Sequence, residues 1–208
     1  MKRMTTYLLA ALLGLFSAAT NAGPAEEAEQ LVRENSSRVL TILKENKGNI
    51  TDNPKVLYTL VDEIIVPNVD FNSMSKLILK KYWRKASPQQ RERFIKEFKG
   101  MLVRTYTRSL NEYAGNTEII FLKSVSKKEG KYVTVYSEIV QSGKPNIPVN
   151  YSLIRKENGY KIYDVVIEGL SLVKNYHTSF GPQIEQMGLD GLINDLASKN
   201  AKGVANGA

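Results

Sequence analysis

The sequence predicts an α+β fold: about six to seven helices packed on one antiparallel sheet, a four-stranded meander. Two observations carry this. Apolar residues recur at helical spacing from residue 25 to residue 113 and again after Gly169. Between those stretches, residues 118–167 switch to a period of two and are punctuated by the turn-forming runs KKEG, QSGKPN and KENG.

The elements follow in order. Ala28, Leu31, Val32, Val39, Ile42 and Leu43 mark a first helix over 25–45, which Gly48-Asn49 ends. Asp52 or Asn53 caps a second, with Pro54 tolerated in its first turn. It runs to about Val66, where Pro67 stops it. Asp70 caps a third, from Phe71 to about Lys81. Ser87-Pro88-Gln89-Gln90 supplies an N-cap, a proline at the first helical position and a glutamine three residues on, a complete capping box. Phe94, Phe98, Met101, Leu102, Tyr106, Leu110 and Tyr113 then line one face of a long helix that Gly115 closes.

Strands over 118–125, 132–140, 147–154 and 160–167 form the meander. Val133 and Val135 alternate with Tyr132, Thr134 and Tyr136. Ile147, Val149, Tyr151 and Leu153 form the second clean alternation and are expected to point inward. Past Gly169, Ser171 caps a helix with the stripe Leu172, Tyr176, Phe180, Ile184 and Met187, which Pro182 kinks or splits. A short last helix over 189–199 follows Gly188, and the tail 201–208 frays.

The first 22 residues stand apart. Lys2 and Arg3 precede YLLAALLGLFSAA, and Thr20-Asn21-Ala22 fits a signal-peptidase site before Gly23. That apolar run of 13 residues is too short to cross a bilayer core of about 30 Å as a helix, which takes about 20. Its removal leaves 186 of the 208 residues and a net charge of +6. The mature chain is expected to be exported and to form a single soluble domain over 23–200. Outside the cytosol, a basic balance is either an ordinary solvated surface or a sign of phospholipid headgroups or an acidic partner protein rather than of nucleic acid.

Composition excludes most enzyme classes. The chain has no cysteine, so it has no disulfide, thiolate metal site or thiol nucleophile. Its one histidine, His177, stands at the edge of the Tyr176 stripe and reads as structural. There is no P-loop, H-E-x-x-H, EF-hand loop or G-x-S-x-G. No cofactor or metal is expected. Asp164 and Glu168, at the end of one strand, are the best acid–base pair available; the plainer reading is that they bond loop backbone or a basic neighbour. Trp83, between Tyr82 and Arg84, either lines the mouth of an apolar cavity or anchors two helices. The Phe94–Tyr113 stripe is either core or ligand box. These readings are compatible, because a carrier's cavity is its core with a void left in it.

Two motifs now point to a family. Val66-Pro-Asn-Val-Asp-Phe-Asn-Ser-Met-Ser75 leads into Tyr82-Trp-Arg-Lys-Ala-Ser-Pro-Gln-Gln-Arg-Glu-Arg-Phe94, and Tyr163-Asp-Val-Val-Ile-Glu-Gly-Leu-Ser-Leu-Val-Lys-Asn-Tyr176 follows in the same order. Together they resemble the signature of the MlaC family, also called toluene-tolerance auxiliary proteins, over about residues 25–200. Lys80 departs from the family pattern, which often has glycine before Tyr-Trp-Arg. His177 stands where arginine often follows Asn-Tyr.

The resemblance implies a periplasmic carrier of glycerophospholipid. It would shuttle lipid between an outer-membrane lipoprotein–porin complex and an inner-membrane ABC transporter with an MCE-domain subunit, and so maintain outer-membrane asymmetry. It implies a fold somewhat like nuclear transport factor 2, enclosing an apolar pocket, and a chain that is not an enzyme; a monomer is expected, although the sequence does not set the oligomeric state. The need for a carrier is physical: two acyl chains of about 30 methylenes, at roughly 0.8 kcal/mol each, cost about 25 kcal/mol in water. The expected pocket residues are Trp83, Phe94, Phe98, Leu102, Tyr106, Val133, Val135, Val149, Tyr151, Tyr163, Val165 and Leu172. Lys81, Arg84 and Lys174 are expected at the mouth, facing phosphate or an acidic partner. The rival readings are an exported enzyme using Asp164 or Glu168 on an apolar substrate, and a carrier or chaperone for lipoproteins or unfolded outer-membrane chains.

Overall fold

The computed structural model of the chain describes residues 23–46, 55–110 and 116–205. The leader, the turn at Gly48-Asn49, the caps Asp52 and Asn53 with Pro54, and the helix end at Tyr113 and Gly115 lie outside those residues. Among the described residues are six α-helices: α1 (Pro24–Glu45), α2 (Lys55–Leu60), α3 (Phe71–Leu79), α4 (Lys81–Lys85), α5 (Pro88–Leu110) and α6 (Leu172–Ala205). The strands are β1 (Thr117–Phe121), β2 (Val125–Lys127), β3 (Tyr132–Gln141), β4 (Ile147–Lys156), β5 (Gly159–Ile167) and β6 (Leu170–Ser171).

The expected second helix changes its winding. Beyond α2, Val61–Ile65 form a π-helical turn and Val66–Asn68 a 3₁₀ turn. Pro67 has no N–H with which to continue the ladder. Asn68 Nδ2 takes up the Ile64 carbonyl at 2.7 Å and reaches Asn35 of α1 at 3.0 Å. Asp70 then caps α3, accepting from the Ser73 N–H at 2.9 Å and meeting Lys156 Nζ at 2.6 Å. Burial pushes the Asp70 carboxyl up, but Lys156 and Ser73 outweigh it and hold its pKa below the usual value.

The third helix ends at Leu79, two residues before the expected end at Lys81. Lys80 has φ 44° and ψ −107°, a conformation that side chains with a Cβ rarely adopt. Such a residue stores about 1–3 kcal/mol of strain. Lys80→Gly is therefore expected to raise the unfolding free energy by about 1 kcal/mol, even against glycine's greater freedom in the unfolded chain. A higher urea midpoint with an unchanged slope would check it.

The capping box at α5 forms as expected: Gln90 N–H donates to Ser87 Oγ at 3.1 Å, and Ser87 N–H to Gln90 Oε1 at 3.0 Å. α6 passes Pro182 and breaks instead at Gly188, with φ 74° and ψ 171°, a region open only to glycine. Its second half runs on to Ala205, past the expected end at residue 199, through Ala201 and Lys202, both good helix formers.

The sheet is an antiparallel meander in the order β1–β3–β4–β5–β6, with β2 also paired to β3. It has six strands where four were expected. The first expected strand is split into β1 and β2, because the chain leaves the ladder after Leu122 and Ser124 Oγ bonds Glu29 of α1 at 2.9 Å. β6 is the return arm of a tight hairpin, whose turn residues Glu168 and Gly169 have φ 50° and 81°. Two positive φ values in succession suit the twist of paired strands. A bulge sets Ser152 opposite Asp164 and Leu153 opposite Ile162, leaving Tyr163 as the extra residue.

Three apolar clusters hold the elements together. The largest joins α3, α4, α5 and α6 around Phe94, Phe98, Phe180, Leu192 and Ile193. A second joins Leu43 of α1 to Leu57, Leu60, Val61 and Ile64. The third packs Ala28 and Val32 of α1 on Val133, Val135, Leu153 and Tyr160 of the sheet.

Candidate functional site

A groove of about 840 Å³ lies between the second half of α1 and the β1 end of the sheet. Arg33, Ser36, Leu40 and Lys44 form one wall, and Thr117, Ile119 and Phe121 the other. Arg33 bonds Glu29 at 2.6 Å while its guanidinium lies 4.1 Å over the Phe121 ring. Ser36 has a particular origin. The apolar stripe of α1 runs Val32, Val39, Leu43, and Ser36 occupies the position between Val32 and Val39. A small hydroxyl there thins the helix–sheet packing and gives the groove room.

Inward of Ser36 lies one face of the sheet. The pairing register places Val133, Val135, Ser137, Val149, Tyr151, Leu153, Val165 and Ile167 on it. Tyr151 combines two properties. Its hydroxyl meets Ser36 and Ser137, but desolvation dominates and raises its pKa. Yet the residue is only half-buried. Its surroundings are dry, and part of its surface stays uncovered. Tyr176 on α6 shows the same pairing: it is half-buried, with a phenol pushed well up by desolvation and by Tyr106, whose hydroxyl is 3.5 Å away.

The expected pocket residues divide by this criterion. Val165 and Leu172, with Tyr106 and Tyr151, are half-buried and keep free surface. Phe94, Phe98 and Val135 are 0% exposed, so they touch no void. Phe94 and Phe98 stack at 5.6 Å and each meets Phe180 edge-on, a solid aromatic core. Trp83, Leu102, Val133 and Val149 are also buried. These seven are packed against their neighbours in this structure: at helical or strand spacing, an inward direction does not say whether a neighbour fills the space. Tyr163 is half-buried but, as the bulge residue, turns toward Tyr132 at 6.2 Å and the helical core.

The expected cations do not converge. Lys81 and Arg84 line a second hollow of about 550 Å³ with His177, Thr178, Pro182 and Glu185. There Glu185 holds Lys81 at 3.4 Å and accepts from the Tyr82 hydroxyl at 3.0 Å. Lys174 sits apart, exposed in the first turn of α6. The groove cations are instead Arg33 and Lys44 of α1, which the sequence presents as an ordinary solvated helix face.

The remaining candidates bond within the fold. Asp164 accepts from Ser171 Oγ at 2.6 Å and from the Val173 N–H at 3.0 Å, capping α6. Glu168 sits in the hairpin turn, its N–H on the Pro148 carbonyl. His177 Nδ1 is 2.7 Å from the Ile78 carbonyl, tying α6 to the end of α3. Among the described residues no group of three or more His, Asp or Glu gathers as a metal site, and no helix is long and apolar enough to cross a membrane.

Comparison with known proteins agrees with this architecture. The chain is 30% identical over 197 residues to the toluene tolerance protein ttg2D of Pseudomonas putida, covering 93% of this chain and 90% of that one. It is 23% identical over 194 residues to the intermembrane phospholipid transport system binding protein MlaC of Haemophilus influenzae, covering 92% and 88%. Among solved structures, the phospholipid-binding protein of Ralstonia solanacearum, determined in complex with a phospholipid, superposes with a TM-score of 0.77 at 27% identity. That match covers 86% of this chain and 99% of the other. The family described as MlaC protein matches residues 33–198, and this chain belongs to it.

Proposed function

We propose that the protein is a periplasmic phospholipid carrier that holds the acyl chains of a glycerophospholipid between α1, α5, α6 and the sheet. The observation that carries this is the match, along nearly the whole length, to a relative solved with a phospholipid bound. The half-buried tyrosines give the reading its geometry. Val165, Leu172, Tyr106 and Tyr151 offer the free apolar surface for the tails. The groove beside Arg33 and Lys44 is the way in, with the phosphate left near those cations. Trp83, Leu102, Phe94, Phe98, Val133, Val135 and Val149 stiffen the wall, and Lys81, Arg84 and Lys174 remain available to partner surfaces.

The protein moves lipid without bond chemistry, between an outer-membrane lipoprotein–porin complex and an inner-membrane ABC transporter with an MCE-domain subunit. Burial inside the carrier replaces the roughly 25 kcal/mol that the tails would lose in water, so each hand-over is nearly balanced. Residues 1–22 direct export, and residues 23–200 act as one monomeric domain.

Native mass spectrometry of the protein from a periplasmic extract tests this. The expected spectrum shows an added mass that resolves, on release, into one glycerophospholipid. A clean apo mass that stays apo after incubation with phospholipid vesicles would overturn it.

A further inference from the structure

The interior is not uniformly apolar. Where Ser36 of the groove wall faces the sheet, three hydroxyls from three elements gather: Ser36 of α1, Ser137 of β3 and Tyr151 of β4. Ser137 is 1% exposed and donates to the Val149 carbonyl across the ladder at 2.8 Å. Its proton is thereby committed. Ser36 and Tyr151 already meet within this cluster, and a hydroxyl can rotate its proton from a neighbouring oxygen to an acceptor brought in by a ligand. Val133, Val135, Val149 and Val165 surround this node on the same sheet face, so it is an isolated polar point in a dry wall. In such surroundings a hydrogen bond discriminates strongly between ligands that offer an acceptor and ligands that do not. Of the three, Ser36 also lines the groove that carries Arg33 and Lys44, and Ser137 and Tyr151 meet it from the sheet behind. A lipid with its phosphate by those cations and its tails inward carries its acyl ester carbonyls between the two.

We propose that Tyr151, assisted by Ser36, donates a hydrogen bond to an acyl ester carbonyl of the bound lipid and so selects ester-linked over ether-linked phospholipid. Tyr151 is thus a specificity-determining residue. The proposal rests on the carrier reading above. It sets the depth at which a lipid stops, because the ester is the one acceptor between headgroup and tails.

The test is competition, read by native mass spectrometry, between a diester and a diether phosphatidylglycerol of equal chain length. Wild-type protein is expected to favour the diester by about fivefold, the ratio one net hydrogen bond of about 1 kcal/mol supports. Tyr151→Phe is expected to bring the ratio to about one, because only the diester has a hydrogen bond to lose. Ser36→Ala, a smaller perturbation that also favours the helix, is expected to lower the ratio part-way. Equal binding of the two lipids by the wild type, or an equal loss of both in a Tyr151→Phe protein of unchanged thermal midpoint, would overturn the assignment while the carrier reading stands. If the wild type binds neither lipid, the carrier reading fails and this inference with it.

Discussion

Phe98→Ala is expected to lower the unfolding free energy by about 3–5 kcal/mol. The ring is 0% exposed and touches three aromatic neighbours: Phe94 stacked at 5.6 Å, Tyr176 edge-on at 5.3 Å and Phe180 edge-on at 6.2 Å. Its removal loses both the buried area and the edge-to-face contacts, and the facing helices α5 and α6 are too rigidly packed to close the hole. In a domain of this size the thermal midpoint should fall by about 10 °C, at roughly 2–4 °C per kcal/mol. The size of the loss is diagnostic. A ring that lined a lipid cavity would already face space, and its truncation would cost about 1–2 kcal/mol instead. Urea unfolding therefore separates packed core from cavity wall at this position.

The opposite substitution probes the cavity itself. Val165→Trp is expected to cut the phospholipid retained through purification at least tenfold while the protein still folds. Val165 keeps free surface on the sheet face beside Tyr151, so an indole has somewhere to go. What it fills is the volume the tails need, and residual crowding costs about 1–3 kcal/mol. Val135→Trp is the control: that side chain is 0% exposed beneath α1, and the same indole there is expected to unfold the protein. Lipid phosphorus per mole of protein and far-ultraviolet circular dichroism read the two effects separately. Full lipid retention in a folded Val165→Trp protein would move the tails elsewhere.

Most of the framework is legible in the sequence because it rests on local signals. The Ser87–Gln90 box, the Asp70 cap and the turn at KENG each need only neighbours within four residues, and each forms where its residues stand. The break at Lys80 is illegible for the complementary reason. Neither glycine nor proline announces it, and a strained lysine persists there only because α3 and α4 are held on both sides by the helical core. The split of β1 from β2 depends on Glu29, some 95 residues from Ser124, and no local pattern carries that.

The site is legible in part. The alternation of β3 and β4 correctly sets one face of the sheet, but it does not tell Val135, sealed under α1, from Val165, which is not. That difference belongs to the partner element. The missed signal is Ser36, a hydroxyl in the apolar stripe of α1, visible in the sequence as a break in a pattern otherwise read as ordinary core.

The lateness of α6 in the chain has a consequence for how the molecule comes into being. Phe180, Ile184, Leu192, Ile193 and Leu196 complete a core whose other half, Phe94 to Leu102, is synthesised some ninety residues earlier. The ties between them are equally remote: Arg93 to Asn194, Gln90 to Asp190, Asn200 to Glu97. Contacts this distant in sequence form slowly and only once both ends exist. A nascent chain that ends before residue 172 has α3 to α5 with a naked apolar face and no stable fold to seal it. It stays open until its last thirty-odd residues arrive. The same open face, if closure is delayed, is where chains would stick to one another, so the timing of synthesis and closure is written into the order of the elements.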